Sequence, residues 1–289
     1  MTLLGTPTLT RDPKKTNRGS RLSWLDKGVI AAAVLILALA AIGPVMAPED
    51  IYRSDIAKAL LPPDGTHLLG TDDQGRDVLW RIVAGTQVTV FSAILVVASF
   101  SLIAIIVALA ASLGPKWIDE VLMRTTDVAL AVPAMVLGLG IAAALGPSLQ
   151  SAVIAMIISG WPMSARLLRS VIRQTMTLPY VEGAKALGVS TPRLMLRHVL
   201  PNSIDVLLVK WAGDIGQTIL VIAGLSFIGL GAQAPSAEWG AMVAGAKGYV
   251  ATAWWAAIYP GIAIAITAAV FGLLGDTLQA KISNEGTKA

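Results

Sequence analysis

Cysteine is missing altogether from the 289 residues of the sequence. Its absence excludes disulfides, thiolate nucleophiles and metal sites built from cysteine ligands. Histidine occurs only as His67 and His198, which lie far apart along the chain and belong to no metal-ligand motif. The phosphate-binding patterns GxxxxGKS and GxxxxGKT are absent too, so the sequence contains no P-loop. We therefore expect a protein that is not an enzyme, has no catalytic residues and binds neither a metal nor a cofactor itself.

Charged side chains are also scarce. They make up 14% of the sequence, whereas apolar residues make up 55% and the mean hydropathy is +0.71. Soluble domains average about 25% charged residues, so this composition predicts a chain solvated by lipid. The formal charge is +4, but the basic residues flank apolar segments. That placement is typical of membrane orientation and argues against nucleic acid as a partner.

Six segments approach the roughly 20 apolar residues that a membrane-spanning helix needs. They are 28–47, 88–113, 128–147, 150–168, 206–230 and 256–276, and the fourth is the weakest because polar and helix-breaking residues interrupt it. The sequence thus predicts an all-α integral membrane protein with six transmembrane helices. Pro133 can bend the third span, although ordinary packing of a membrane helix is the preferred interpretation.

Most of the 22 lysines and arginines fall on one side of these spans. They lie in the basic tail 1–27, the loops 114–127 and 166–205, and the tail 280–289. Because cytoplasmic segments carry an excess of lysine and arginine, we expect both termini to be cytoplasmic. The segment 48–87 is then extracytoplasmic.

In the loop between the fourth and fifth spans, proline, glycine and capping residues predict two short helices. Pro179 suits the first turn of one helix and Gly188 suits its end. Ser190 and Thr191 can cap a second helix, which Pro201 ends or kinks. The first helix carries small residues beside charges, a pattern that permits close approach of another protein; an interfacial helix that only solvates the loop is the alternative.

Polar residues occur inside the fifth span at helical spacing. Lys210, Asp214 and Gln217 are four and three residues apart and so share one helix face. Ionisable groups in lipid are costly and usually face a water-filled cavity or each other. The face therefore predicts a translocation path, a simple ion pair, or the site of an ion-coupled secondary transporter. Asp276, expected at the inner end of the sixth span, should need a basic partner.

Charged residues also cluster before the second span and after the fifth. The set Asp72, Arg76, Asp77, Glu238 and Trp239 predicts an extracytoplasmic gate or docking element, with an ion-paired cap on the bundle as the alternative. Asp77 and Arg81 are four residues apart and can pair on a helix face.

Four segments carry a family resemblance, and they occur in the family's order. Glu182-Gly183-Ala184, Gly188 and Val199-Leu200-Pro201 resemble the "EAA" signature of ATP-binding cassette importer permeases, with Gly183 in place of the usual alanine. The stretches GTDDQGRDVLWRIVAGTQVTV (70–90), GLSFIGLGAQAPSAEWGAM (224–242) and YPGIAIAITAAVFGLLGDTLQ (259–279) resemble those of the dipeptide/oligopeptide/nickel subfamily, in its second-permease or "C"-type subunit.

The resemblance implies a type I ABC importer transmembrane fold, with a permease domain over 70–279 and a coupling loop over 170–205. It implies that Glu182, Gly183, Ala184, Lys185 and Gly188 couple the chain to an ATPase. The implied partners are a second homologous permease, two ABC ATPase subunits that use ATP and Mg, and an extracytoplasmic solute-binding protein. The implied location is the bacterial or archaeal cytoplasmic (inner) membrane. Di- and oligopeptides are the first choice of solute, and nickel or a metal chelate is the alternative because DIGQ (214–217) resembles nickel-type members.

Overall fold

The computed structural model describes residues 23–286, and within this range the chain folds into helices and turns with no strand. The expected tail 1–27 lies mostly outside the described residues, as do the last three residues of the tail 280–289. The helices are α1 (Trp24–Met46), α2 (Val78–Leu113), α3 (Lys116–Ala131), α4 (Ala134–Leu145), α5 (Leu149–Thr175), α6 (Pro179–Ala186), α7 (Thr191–Leu194), α8 (Leu200–Ser203), α9 (Asp205–Phe227), α10 (Trp239–Ala246) and α11 (Trp255–Gly286).

Five of these helices, α1, α2, α5, α9 and α11, are long and apolar enough to cross a membrane. The pair α3 and α4 makes a sixth span if the two are counted together. The described residues therefore confirm the expected all-α membrane fold.

Helix α2 begins at Val78, where the sequence predicted the span to begin at residue 88. The side chain of Asp77 accepts a hydrogen bond from the N–H of Trp80 at 3.1 Å and so caps the first turn. The helix has 36 residues and at about 1.5 Å per residue is roughly 54 Å long. Because the hydrocarbon core is about 30 Å thick, part of α2 must extend beyond it or the helix must tilt.

The third span is broken at Pro133. Helices α3 and α4 meet at an angle of 86°, and Val132 between them is extended with φ −93° and ψ 128°. A residue before proline avoids the α conformation, which explains the break. The preferred interpretation of ordinary packing without a bend is therefore wrong, and most of the expected loop 114–127 belongs to α3.

Ion pairs hold α3 against α5. Arg169 donates to both carboxylate oxygens of Asp119, at 2.5 and 2.6 Å, and Arg173 also pairs with Asp119. Arg166 pairs with Asp127 two helical turns further along α3. The pair of Arg166 with Asp127 compensates the charge that weakened the fourth span in the sequence.

The spans pack closely where a glycine removes the side chain. A Cβ on Gly43 of α1 would lie 2.5 Å from the carbonyl oxygen of Val83 on α2. A Cβ on Gly216 of α9 would lie 2.6 Å from the carbonyl oxygen of Ala268 on α11. Close backbone contact at small residues is the usual way in which helices associate in lipid.

Candidate functional site

The first short helix predicted in the loop forms α6, and its first residue is the predicted proline. Gly188 follows with φ +81°, a left-handed conformation that glycine adopts without steric cost. Its N–H donates to the carbonyl oxygen of Lys185 at 3.0 Å, and the N–H of Val189 donates to that of Ala184 at 3.2 Å. These two bonds form a Schellman motif, which fixes the end of the helix as the sequence predicted.

The second short helix starts at Thr191 and stays helical to Ser203. A π-helical turn, Met195–Val199, separates α7 from α8. Ser190 occupies the predicted N-cap position, but its side chain makes no hydrogen bond to the first turn. Pro201 lies in the first turn of α8 and does not end the helix. The π turn directly before α8 is the irregularity that accompanies this proline.

One side of the loop is buried against the bundle. Val181 of α6 is fully buried, as are Leu194, Met195 and Val199 of the second helical stretch. They form one apolar cluster with Ala108 of α2, Leu168 and Ile172 of α5, and Leu207 of α9. The cluster therefore connects α6 by direct packing to these three spans.

The other side of α6 is exposed. Leu187 is 87% exposed and Tyr180 is 48% exposed, although both are large and apolar. Glu182 and Lys185 are exposed beside them, and a Cβ on Gly183 would meet no atom within 4 Å. This exposed side, with Leu178, is called the α6 face below. Exposed apolar side chains with charged residues beside them are typical of a protein-binding surface.

A groove of about 630 Å³ lies between α9 and α11, with one residue of α5 at its side. It brings together all three residues predicted from the polar face of the fifth span. The groove is lined by Leu167, Val206, Val209, Lys210, Gly213, Asp214, Gln217, Gly272, Gly275, Asp276 and Gln279. The sequence missed Gln279, and it singled out Asp276 only for its expected partner, because nothing in a single helix pattern indicates which two helices are neighbours.

Lys210 and Asp214 form an ion pair inside this groove. The Nζ atom of Lys210 lies 2.6 Å from each carboxylate oxygen of Asp214, and 5.9 Å from the centroid of the Phe100 ring. Each charge therefore has a partner within its own helix. Gln217, one turn further on, is exposed to the groove.

Asp276 has no ion-pair partner within 4.0 Å among the described residues. The expected basic partner is thus not found within residues 23–286. Helix α11 continues to Gly286, so Asp276 does not lie at a helix end, and the dipole argument for such a partner does not apply.

The opposite end of the bundle carries a cap, defined as residues 48–77 and 231–238. Asp72 organises its first part. One carboxylate oxygen accepts from the backbone N–H groups of Gln74 and Arg76, both at 2.9 Å, and the other accepts from Nε of Arg76 at 2.8 Å. No arginine side chain among the described residues donates to the carboxylate of Asp77, whose Oδ2 lies 2.8 Å from Nδ1 of His67.

Arg81 is buried and joins the two parts of the cap. Its Nη1 donates to the carbonyl oxygen of Ile51 at 3.2 Å, and its Nη2 donates to that of Ser236 at 2.9 Å. The nearest carboxylate is Asp72, 3.5 Å from Nε. The predicted pair of Asp77 with Arg81 is therefore wrong, because Arg81 points inward to backbone carbonyls while Asp77 caps α2.

Glu238 and Trp239 anchor the second part of the cap to the bundle. The buried carboxylate of Glu238 accepts from the N–H groups of Gly240 at 3.0 Å and Ala241 at 2.8 Å, at the start of α10. Burial raises the pKa of Glu238 above its ordinary value, and these hydrogen bonds act in the opposite direction. The indole N–H of Trp239 donates to the carbonyl oxygen of Ile82 on α2 at 3.0 Å.

Comparison with known families decides what kind of protein this is. Residues 101–284 match the family described as "Binding-protein-dependent transport system inner membrane component". This match covers more than half of the chain.

The chain belongs to this family. It is a permease subunit of a binding-protein-dependent ABC importer and a multi-pass protein of the inner membrane. The assignment rules out the ion-coupled secondary transporter as its class.

Two relatives of this permease are named as permeases of dipeptide transport systems. It is 40% identical over 276 residues to the probable D,D-dipeptide transport system permease protein of Escherichia coli (strain K12), covering 92% of each chain. It is 33% identical over 269 residues to the dipeptide transport system permease protein of Alkalihalophilus pseudofirmus, covering 93% of this chain and 88% of the other. These similarities confirm membership of the dipeptide/oligopeptide subfamily.

A solved structure supports the fold. The permease is similar to a chain of the MetNI methionine ABC transporter in an inward-facing conformation, with a TM-score of 0.56 and 15% identity. The match covers 70% of this chain and 97% of that one. At this identity the similarity concerns the fold alone, and it agrees with the expected type I importer architecture.

Proposed function

We propose that this permease moves di- and oligopeptides into the cell, driven by ATP hydrolysis in two ABC ATPase subunits. A second permease completes the membrane unit, and an extracytoplasmic binding protein delivers the peptide. The names of the relatives support the solute class. The observation that carries the mechanism is the two-sided burial of α6, with Val181 fully buried and Leu187 87% exposed.

The α6 face is the proposed docking surface for an ATPase subunit. Glu182 and Lys185 supply charged contacts, while Gly183 and Ala184 let the partner approach the backbone closely. Gly188 holds the end of the helix in place. The coupling loop 170–205 and both termini lie on the cytoplasmic side in this proposal, within a permease domain over 70–279.

Closure of the ATPases on ATP displaces α6. Its buried side presses on the ends of α2, α5 and α9 through the cluster around Val181, so the spans change their arrangement together. Such rigid-body switching between two packed states is a common way to pass a ligand signal through a protein. ATP and Mg belong to the partner subunits.

The groove between α9 and α11 is the proposed part of the translocation path that this chain contributes. Lys210, Asp214 and Gln217 line it, and a mostly apolar lining with a few polar groups is typical of small-molecule sites. The second permease would close its open side. Nickel or a metal chelate is the alternative solute, and it would use the same path and the same α6 face.

The cap is the proposed surface that meets the binding protein. Asp72, Arg76 and Asp77 shape its first part, and Glu238 with Trp239 positions its second part at the top of α10. Arg81 links the two parts, so a push on one part is passed to the other.

Transport by the complete complex in liposomes tests the proposal. The variant Gly183→Trp places a bulky ring on the α6 face, where a Cβ meets no atom within 4 Å, so we expect the fold to be preserved. Gly28→Trp is the matched control, because Gly28 on α1 is equally open and lies outside the loop. We expect ATP-driven peptide uptake by the wild type and the control, and a loss of at least tenfold in Gly183→Trp. Uptake that needs no ATP, or that follows a nickel chelate and no peptide, would overturn the corresponding part of the proposal.

A further inference from the structure

The charges that line the groove do not balance. Lys210 is neutralised by Asp214, whose two oxygens both lie 2.6 Å from its Nζ. Asp276 lines the same groove, is exposed, and has no ion pair among the described residues. The remaining polar side chains of the lining, Gln217 and Gln279, are neutral amides. Among the described residues, the lining therefore carries one uncompensated negative charge.

The groove has the size of a small-molecule site. Its volume of about 630 Å³ lies within the range of roughly 300–1,000 Å³ that is usual for ligand pockets. Two of its lining residues are glycines with open space beside them, because a Cβ on Gly213 or on Gly272 would meet no atom within 4 Å. By contrast, a Cβ on Gly275 would lie 3.0 Å from the backbone nitrogen of Gly213, so α9 and α11 are in close contact at this point.

We propose that Asp276 is a specificity residue that binds the free α-ammonium group of the peptide in transit. This inference rests on the proposed peptide function. An ammonium group has three donors and no acceptor, and a carboxylate is an acceptor only, so the two are complementary in charge and in hydrogen bonding. Gln217 and Gln279 each offer an amide donor and a carbonyl acceptor, which match the peptide bond.

The peptide carboxylate has no such partner in this chain. Lys210 is the one cation of the described lining, and Asp214 holds it on the same helix. The groove therefore discriminates at the amino end of the solute. A peptide whose amine is acetylated should lose the contact with Asp276 while keeping its contacts with the two glutamines.

The test measures binding to the purified membrane complex of permeases and ATPases without the binding protein, so that the selectivity of that protein plays no part. The probes are radiolabelled alanyl-alanine and N-acetyl-alanyl-alanine. Wild type should bind the free-amine peptide roughly tenfold or more tightly than the acetylated one, since a hydrogen bond between charged groups is worth about that factor. Asp276→Asn should bind both peptides with the weaker affinity.

Asp205→Asn is the matched control, because Asp205 is an exposed carboxylate at the start of α9 that does not line the groove. It should keep the preference for the free amine. The inference is overturned if wild type binds neither peptide at millimolar concentration, or binds both equally. It is also overturned if Asp276→Asn keeps the preference, or loses the second permease during purification, since Asp276 would then be an interface residue. Failure of the wild type to import alanyl-alanine with ATP would overturn the proposed function itself.

Discussion

The guanidinium of Arg81 donates to the carbonyl oxygen of Ser236 across 155 residues of sequence, at a distance of 2.9 Å. The same side chain reaches Ile51, so one buried arginine on α2 holds both parts of the cap. A planar guanidinium with five donors can satisfy several carbonyls at once, which a lysine cannot do.

Arg81→Lys should therefore destabilise the permease although it keeps the charge. The loss should be about 2 kcal/mol or more, because the buried carbonyl of Ile51 and the partly buried carbonyl of Ser236 lose their donors. Thermal unfolding in detergent measures it, with Arg53→Lys as the control at an exposed position of the cap. Equal unfolding temperatures for the two variants would show that Arg81 does not hold the cap together.

Glu238 should make stability depend on pH in a direction opposite to that of a salt-bridged carboxylate. Its pKa is raised by burial, so the folded state holds the proton at pH values where the unfolded state has lost it. From the pKa of an unfolded glutamate, about 4.3, upward, stability should fall as the pH rises, until the pKa of the folded state is passed. The unfolding temperature of the wild type minus that of Glu238→Gln, followed between pH 4 and 8, isolates this contribution. A difference that rises with pH would contradict the assignment.

Local features of the site were predictable from the sequence, whereas contacts between distant segments were not. Pro179 and Gly188 act through their own backbone geometry, so the limits of α6 follow from residue type. Lys210 and Asp214 pair within one helix, so their spacing suffices. The number of spans followed from hydropathy in the same way.

Several of the errors involve tertiary partners, whereas the break at Pro133 has a local cause. Residues 114–127 are charged, so the sequence predicted a loop there. In the structure Asp119 forms an ion pair with Arg169 of α5, and this contact favours a helix. The spacing predicted that Arg81 pairs with Asp77. In the structure, Arg81 instead donates to the carbonyl oxygen of Ser236, in a loop far along the chain. The position of Asp276 in the groove depends on the packing of α9 against α11 at Gly216. The sequence pattern of a single helix does not predict which helix packs against it.

Gly188 should tolerate asparagine better than alanine. Its φ of +81° is left-handed, and a side chain there costs about 1–2 kcal/mol except for residues such as asparagine that adopt this region readily. Gly188→Ala should shift the end of α6 and slow ATP-driven uptake several-fold, whereas Gly188→Asn should remain close to the wild type. Equal rates in the two variants would mean that the position of this helix end does not matter for transport.

Substitution by leucine should have different effects at Gly216, which packs against a neighbouring helix, and at Gly272, which faces the groove. Gly216→Leu would press on the carbonyl oxygen of Ala268 and should cost roughly 1–3 kcal/mol through overpacking. Gly272→Leu meets open space, so it should leave unfolding unchanged but fill the groove and block uptake. Thermal unfolding and uptake, measured on both variants, separate a packing contact from a path. Normal uptake in a stable Gly272→Leu would place the path elsewhere.

The account depends most on a separate ATPase binding the α6 face, and the absence of cysteine from the sequence allows a direct test. A single cysteine introduced at the exposed Gly183 is treated with a short thiol-to-amine crosslinker in the assembled complex, beside the control Gly28→Cys. Crosslinking of Gly183→Cys to an ATPase subunit, sensitive to ATP and absent from the control, is the predicted result. If Gly183→Cys never crosslinks to an ATPase subunit in a complex that still transports, α6 is not the coupling element.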